Sequence, residues 1–432
     1  MSFQAASFPD CSAVCPFVAG LMEKIQELES ELRKHDNPNT PSSKKRKRKT
    51  KRNQKREKSE EETGENPEGE SEDVGERFPG KPKGGGGGGI SIPDTDDVQH
   101  HTLNWDGLEE IGTREKTVIE LAENPFEVVK HVIHTYENEQ GEKVEPEVDL
   151  PEGIYGKRFQ AFVTLLRGLC GASHEKIAEI VRQIRPDLTF SSSTSLNITN
   201  KISEKTEEER QGILGRVKQN KFVHMDETPL RIDGVSGWVW VFAGPQHVVY
   251  RVSLSRSKDI PEETMSGYDG TGVVDGYPGY NGFTKQRDWD HLWREVKETR
   301  IEEVMTKFHE LRRRAEGMKE KPPPEREEFI RKARGSEFPA LIETLRARSE
   351  EKKATKIENA LPDMFRGVTD PDIPLSNNHA ERLLRKVVVH RKLWGCIRNK
   401  KGARFIENTL SCMETWKLQE KNVFQKLQEF TS

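Results

Sequence analysis

Residues 221–252 read KFVHMDETPLRIDGVSGWVWVFAGPQHVVYRV, and the fold is decided there. Apolar and aromatic residues gather in three short runs, Phe222 to Asp226, Trp238 to Phe242 and His247 to Val252, with the turn signals Asp233-Gly234 and Gly244-Pro245 between them. Three successive strands joined by tight turns make an antiparallel meander. A polar stretch that can form a helix, roughly Pro261 to Met265, then leads into Gly272-Val-Val-Asp275, a short strand ending in a carboxylate.

Outward from this core the pattern is helical on both sides. Upstream, Phe159, Phe162, Val163 and Leu166 share one face, and Ile177, Ile180, Val181 and Ile184 share another. A Ser-rich turn, Ser191 to Ser195, and a further helix follow, open to a helix-turn-helix or a plain packing bundle. Downstream, Ile301, Val304, Met305, Phe308 and Leu311 repeat at helical spacing. Pro322 to Pro324 interrupt, and Phe338, Leu341, Ile342 and Leu345 repeat again. A helix from about Asn377 to Val389 and a closing amphipathic helix through Trp416, Leu418 and Phe424 end the chain.

The β-β-β-α-β order is that of a ribonuclease-H-like sheet. The expected fold class is therefore α/β: a ribonuclease-H-like mixed sheet with a helical insertion, preceded by a helical region, an N-terminal coiled coil and a disordered linker. The expected boundaries are a coiled-coil helix at 1–36, a charged and Gly-rich linker at 37–92, and a small β-rich module at 93–150. A helical region, a candidate for DNA binding, follows at 151–220, then the first part of the core at 221–288, the helical insertion at 289–366 and the second part of the core at 367–432.

Of the 432 residues only 32% are hydrophobic and 33% are charged, so much of the length must be exposed helix, linker or tail. A net charge of -3 hides segregation. Residues 44–58 carry eleven Lys or Arg against one Glu, and residues 59–76 carry nine acids and no base, a solvated tether or a loose DNA contact. Val18, Leu21, Ile25, Leu28 and Leu32 alternate steps of three and four, the seam of a short coiled coil or of a helix packed on its own chain. Five cysteines without an even framework fit a reducing compartment. No apolar run approaches the roughly 18 residues needed to span a bilayer. The expectation is a cytoplasmic, nucleoid-associated protein with no membrane partner.

Asp226 follows an apolar strand, where a buried carboxylate without a cation is costly; an N-cap or turn acid before Thr228-Pro229 is the competing reading. Asp275 also ends a strand, with Gly276 and Gly279 allowing close approach, against a simple Asp-Gly turn. Glu381 lies on a helix with Asn378, Arg382 and Arg385 along one side and Leu383, Leu384, Val387 and Val388 on the other, as a metal ligand beside phosphate-binding arginines or as a surface ion-pair acid. His379 to Arg404 holds nine Lys or Arg against Glu381 alone, a plausible phosphate surface. His224 lies two residues before Asp226, as a site residue or a core histidine. Asn281 and Tyr277 or Tyr280 are candidates to touch DNA, and Trp394 to stack on a base or fill the core.

The segments His224-Met-Asp-Glu-Thr228 with Asp233-Gly234, Val274-Asp-Gly-Tyr-Pro-Gly-Tyr-Asn281, and Asn377-Asn-His-Ala-Glu-Arg382 with Arg391-Lys392 and Trp394 resemble the insertion-sequence-66 family of DDE transposases. The likeness extends more faintly through Trp289-Asp-His-Leu292 and Glu414-Thr415, and covers about residues 150–430. It implies a ribonuclease-H-like catalytic domain with Asp226, Asp275 and Glu381 as both catalytic acids and metal ligands, and His224 and His291 as supporting residues. The cofactor implied is two Mg2+ ions, with Mn2+ able to substitute. Where that family often carries a cysteine-paired zinc module, residues 93–150 contain no cysteine, and Cys11 and Cys15 have no second pair, so no zinc is expected. Asp288 stands where the family has a cysteine.

The functional expectation is metal-dependent cleavage and strand transfer of an insertion sequence. DNA, as transposon ends and target, is the partner, and the chain is expected to form homo-oligomers. Asn378, Arg382, Arg385, Arg391, Lys392 and Arg398 are the expected nucleic-acid contacts. The alternatives are a catalytically inactive DNA-binding or helper protein derived from a transposase, and a metal-dependent nuclease that cuts without joining.

Overall fold

The structure, a computed structural model, describes residues 125–431 apart from 138, 139, 141, 142, 152 and 396. The coiled-coil seam, the charged tether, the glycine run and the Cys11/Cys15 pair lie outside the described residues.

A five-stranded mixed sheet forms the centre, in the order β5-β4-β3-β6-β7. Two short strands, β1 (Tyr136–Glu137) and β2 (Lys143–Val144), pair with each other ahead of it. Four helices come next: α1 (Lys157–Leu169), α2 (His174–Ile184), α3 (Ser192–Lys205) and α4 (Glu207–Lys218). Two of them start on serine caps: Ser173 accepts from the Lys176 amide and Ser191 from the Thr194 amide, satisfying donors that a first helical turn leaves free.

The sheet then opens with β3 (Phe222–Ile232), β4 (Val235–Ala243) and β5 (Val248–Ser253), paired antiparallel. Asp233 and Gly234 both have positive φ, 50° and 76°, and Ile232 pairs with Val235 across them. This is the two-residue hairpin turn whose twist matches that of the strands. A short helix, α5 (Asp259–Thr264), leads to β6 (Thr271–Val274) and β7 (Thr284–Arg287), both parallel.

Two features depart from expectation. β3 does not stop at Asp226 but runs on to Ile232, through Thr228-Pro229. The proline is tolerated because β6 pairs only as far as His224, leaving that side of β3 free. Arg231 and Asp233 turn their peptide groups to the same free side, where Ile397 bonds both. β7 is a strand the sequence does not announce, because Thr284-Lys-Gln-Arg287 has no apolar alternation.

One sheet face carries Val223, Met225, Trp240, Phe242, Val249 and Val274, buried against α1 to α4 and the C-terminal residues Met413 and Trp416. The other carries Leu230, Val239, Val241 and Tyr250 and packs on α12 (Asn378–Trp394) through Leu383, Leu384 and Val387. Tyr250 is fully buried there and donates its hydroxyl to the Leu383 carbonyl at 3.1 Å.

Between β7 and α12 lie α6 (Trp289–Thr299), α7 (Glu302–Met318), α8 (Pro323–Lys332), α9 (Phe338–Ala347), α10 (Glu351–Ala360) and α11 (Arg366–Thr369). They share a separate core in which Trp289, Phe308, Phe338 and Phe365 meet at ring centroid distances of 5.7–6.1 Å.

The last segment closes the β5 edge. Helix α13 (Lys400–Arg404) continues through a π-helical stretch, Phe405–Leu410, into α14 (Ser411–Leu418), and α15 (Val423–Gln428) follows. An edge strand exposes every second backbone amide. Here the amides of Val248, Tyr250 and Val252 donate to Thr415 Oγ1 (3.0 Å), Ser411 Oγ (2.9 Å) and Glu407 Oε1 (2.9 Å). Helical residues four apart advance about 6 Å and strand residues two apart about 7 Å, so the two series stay in step over three bonds.

Candidate active site

The pairing of His224 with Val273, continued two residues, brings Asp226 level with Asp275 on the neighbouring parallel strand. The pairing of Val274 with Arg287, continued one residue, brings Asp275 level with Asp288. The Asp288 amide donates to the Val274 carbonyl at 2.9 Å and fixes that register. Strand alternation puts all three aspartates on the face that α12 covers.

The first consequence is electrostatic. Burial holds the Asp226 carboxyl well above the ordinary carboxylate range, and the charges of Asp275, Glu227 and Glu381 push it further the same way. Its Oδ1 accepts from the Glu227 amide at 2.8 Å, which opposes the shift without cancelling it. Asp275 is oriented by the Tyr277 amide, which donates to its Oδ1 at 2.8 Å.

Glu381 enters from the first turn of α12. Asn377, just before the helix, is the pivot: its Nδ2 donates to the Met225 carbonyl at 2.9 Å, its Oδ1 meets His224 Nδ1 at 3.0 Å, and its carbonyl accepts from the Glu381 amide at 3.2 Å. His224 is buried, and that burial, reinforced by His379, pushes its pKa down to about 4. It is neutral at pH 7 and ties the helix start to β3.

Glu381 does not close on the two aspartates. Its Oε1 is paired with Arg294 Nη2 of α6. Among the described residues no group of three or more His, Cys, Asp or Glu side chains is arranged to hold a metal ion. The donor set still fits a hard divalent cation in part: Asp226 and Asp275 supply paired oxygens whose mutual repulsion a cation relieves, and Glu381 is near enough for its charge to act on Asp226.

Residues that sequence reasoning missed hold the surroundings. The Glu227 side chain is only 1% exposed, accepts from Arg256 Nε at 2.9 Å and from the Tyr280 hydroxyl at 2.6 Å, and keeps a raised pKa through burial. The Arg256 guanidinium lies 4.5 Å from the Trp238 ring centroid and 4.1 Å from that of Tyr277. Tyr280 is therefore a buried support for Glu227 and has no surface to offer DNA. Asn281 is exposed and accepts from Lys285 at 2.8 Å.

Asp288 is 1% exposed and caps α6 through Oδ1, which accepts from the Asp290 amide at 2.8 Å. Its other oxygen is buried without a hydrogen-bond partner, and burial raises the carboxyl to about 6. His291, in the first turn of α6, lies 4.0 Å from Glu295 Oε1; burial lowers its pKa, and the charges of Asp275, Glu295 and Glu381 act against that shift while Arg294 adds to it.

Of the six expected phosphate contacts, Arg382, Arg385, Lys392 and Arg398 are exposed. Asn378 donates to Asp290 Oδ2 at 2.7 Å, and Arg391 donates to the Pro229 carbonyl, so both have internal work. Trp394 belongs to the interior: Arg167 lies 3.6 Å from its ring centroid and its Nε1 donates to the Gly171 carbonyl at 2.9 Å.

Over residues 152–405 the chain matches a family model of transposases, and that stretch contains Asp226, Glu227, Asp275, Asp288 and Glu381. The model is described as Transposase IS66 family, and the chain belongs to that family. A comparison with curated proteins gave no match. No helix among the described residues is long and apolar enough to cross a membrane.

Proposed function

We propose that this chain is a DDE transposase that cuts the ends of an insertion sequence and joins them to target DNA, on a sheet of the ribonuclease-H-like kind. The observation that carries the reading is the crowding of like charge on Asp226: Asp275 level with it on the adjacent strand, and Glu381 close by on α12. A buried carboxylate surrounded by acids is tolerated where a cation completes the set.

Asp226, Asp275 and Glu381 are the residues that would hold Mg2+ or Mn2+. Held there, such ions would supply Lewis-acid activation of a water or a DNA 3'-hydroxyl and charge neutralisation at the leaving oxygen. The chain's own part is positioning. Tyr277 fixes Asp275 by its amide, and Glu227 fixes Tyr280 and Arg256 beneath the site. Asn377 and His224 anchor the helix that carries Glu381. The exposed Arg382, Arg385, Lys392 and Arg398 present fixed positive charge to the DNA backbone, and no covalent protein intermediate is needed. The seven ranges 1–36, 37–92, 93–150, 151–220, 221–288, 289–366 and 367–432 remain the proposed division into modules.

The test is a strand-transfer assay with Mg2+ on plasmid DNA carrying the sequences that flank the gene. Joined product from the wild type and none from Asp226→Asn supports the reading. Equal DNA binding by both proteins with product from neither supports an inactive DNA-binding derivative, and cleavage without joining supports a nuclease.

A further inference from the structure

Arg294 stands between two acids and satisfies one. Its Nη2 pairs with Glu381 Oε1, and the same nitrogen lies 3.8 Å from Asp288 Oδ2. That second distance is beyond hydrogen-bonding range. Asp288 Oδ2 is buried and has no other partner, an arrangement native proteins seldom leave without a use. The Arg294 side chain is 46% exposed, so it is not enclosed in a packed core.

We infer that Arg294 is a two-position residue: it holds Glu381 away from Asp226 and Asp275 while no divalent cation is bound, and turns to the vacant oxygen of Asp288 when one arrives. The inference rests on the proposed role of Glu381 as the third metal-holding acid. Both halves of the exchange have the same electrostatic sense. A cation between Asp226 and Asp275 repels the guanidinium and attracts the carboxylate, while Asp288 offers the displaced guanidinium a buried negative partner. The movement needed is small, since closing 3.8 Å to a normal charge-assisted bond of about 2.8 Å takes roughly 1 Å.

The helices need not part for this. Asn378 of α12 donates to Asp290 Oδ2 of α6 at 2.7 Å, and Asp290 is also paired with Arg312, so the α6–α12 junction is held independently of Arg294. The Asp290 carbonyl accepts from Arg294 Nε at 3.3 Å and gives the guanidinium a local anchor. Arg294 is thus a positioning residue, acting on the site through Glu381, and Asp288 acts through Arg294.

The experiment is Mn2+ binding to the full chain, followed by the electron-paramagnetic-resonance signal of free Mn2+. Arg294→Gln removes the competitor and should bind Mn2+ about three- to tenfold more tightly, the worth of a partly exposed ion pair. Asp288→Asn, which keeps the capping oxygen, should bind by a similar factor more weakly. In the Arg294→Gln background the Asp288→Asn change should have no further effect, which a simple loss of structure would not reproduce.

Unchanged or weaker binding in Arg294→Gln overturns the inference. So does an Asp288→Asn loss of equal size in both backgrounds, which would make Asp288 a direct ligand. If Asp288→Asn fails to fold, the Arg294→Gln titration decides alone. Wild-type Mn2+ binding that Asp226→Asn leaves untouched sinks the metal reading itself, a different result from either of these.

Discussion

Two borders of one sheet are finished in opposite ways. Along β5, the amides of Val248, Tyr250 and Val252 each meet a side-chain oxygen, and Thr415 also donates back to the Val248 carbonyl at 3.1 Å. Where β6 and β7 end beside Asp226 of β3, three aspartates stand level, Asp226 is crowded by like charge, and an oxygen of Asp288 has no hydrogen-bond partner. The first border is complete as folded, while the second stores unfavourable charge that a ligand can relieve. The β5 seal stabilises the sheet, and the aspartate corner, the reacting centre under the proposed function, draws on that stability.

The contrast can be broken at several points. The largest effect is expected at the strand ends: Asp226→Asn should lower strand transfer at least about a hundredfold, read as joined product per hour, since one misassigned charge at a reacting centre costs that much. At the sealed border, Thr415→Val leaves the Val248 amide and carbonyl unpaired and should cost about 1–3 kcal/mol in urea unfolding, with DNA chemistry per folded molecule unchanged. A Thr415→Val protein as stable as wild type would show that the seal contributes nothing.

The same Asp226→Asn change should stabilise the fold, and pH supplies the sign. The folded carboxyl titrates above its unfolded value near 3.9, so the folded state holds the proton more firmly and ionisation costs stability as pH rises from about 4 through the raised value. Melting in a chelator should therefore show Asp226→Asn ahead of wild type by more at pH 8 than at pH 5; a gap that does not change with pH would contradict the crowding. The smallest effect is expected on the exposed side of α12, where Arg382→Gln should weaken DNA binding a few-fold and reduce the salt slope by about one unit.

What the sequence shows of this arrangement follows the strength of local signals. The meander from β3 to β5 is written in β-branched and aromatic runs around Asp233-Gly234, a turn only certain residues make. Asp226, Asp275 and Glu381 stand out because each breaks an apolar or basic context. β7 gives no such signal, since Gln286 uses its amide to bond the Met364 carbonyl and Gly367 amide and needs no apolar partner face. Thr228-Pro229 reads locally as a stop, and only the absence of a neighbour on one side of β3 explains why the strand continues. Asp288 is visible in sequence only as a substitute for a cysteine; its place beside Asp275 is a matter of register between strands, which no local pattern encodes. Arg294 and Glu381 are 87 residues apart, and Glu227 and Arg256 are 29, so their pairing appears only after folding.

The β5 seal also sets an order of events at the ribosome. Val248 emerges 167 residues before Thr415, the partner of its amide. A nascent chain that has already made Asp226, Asp275 and Glu381 still carries an open strand able to recruit a neighbouring copy. Premature termination or proteolytic clipping after residue 405 would therefore leave Asp226, Asp275 and Glu381 in the chain while uncovering the β5 amides, an open edge prone to association.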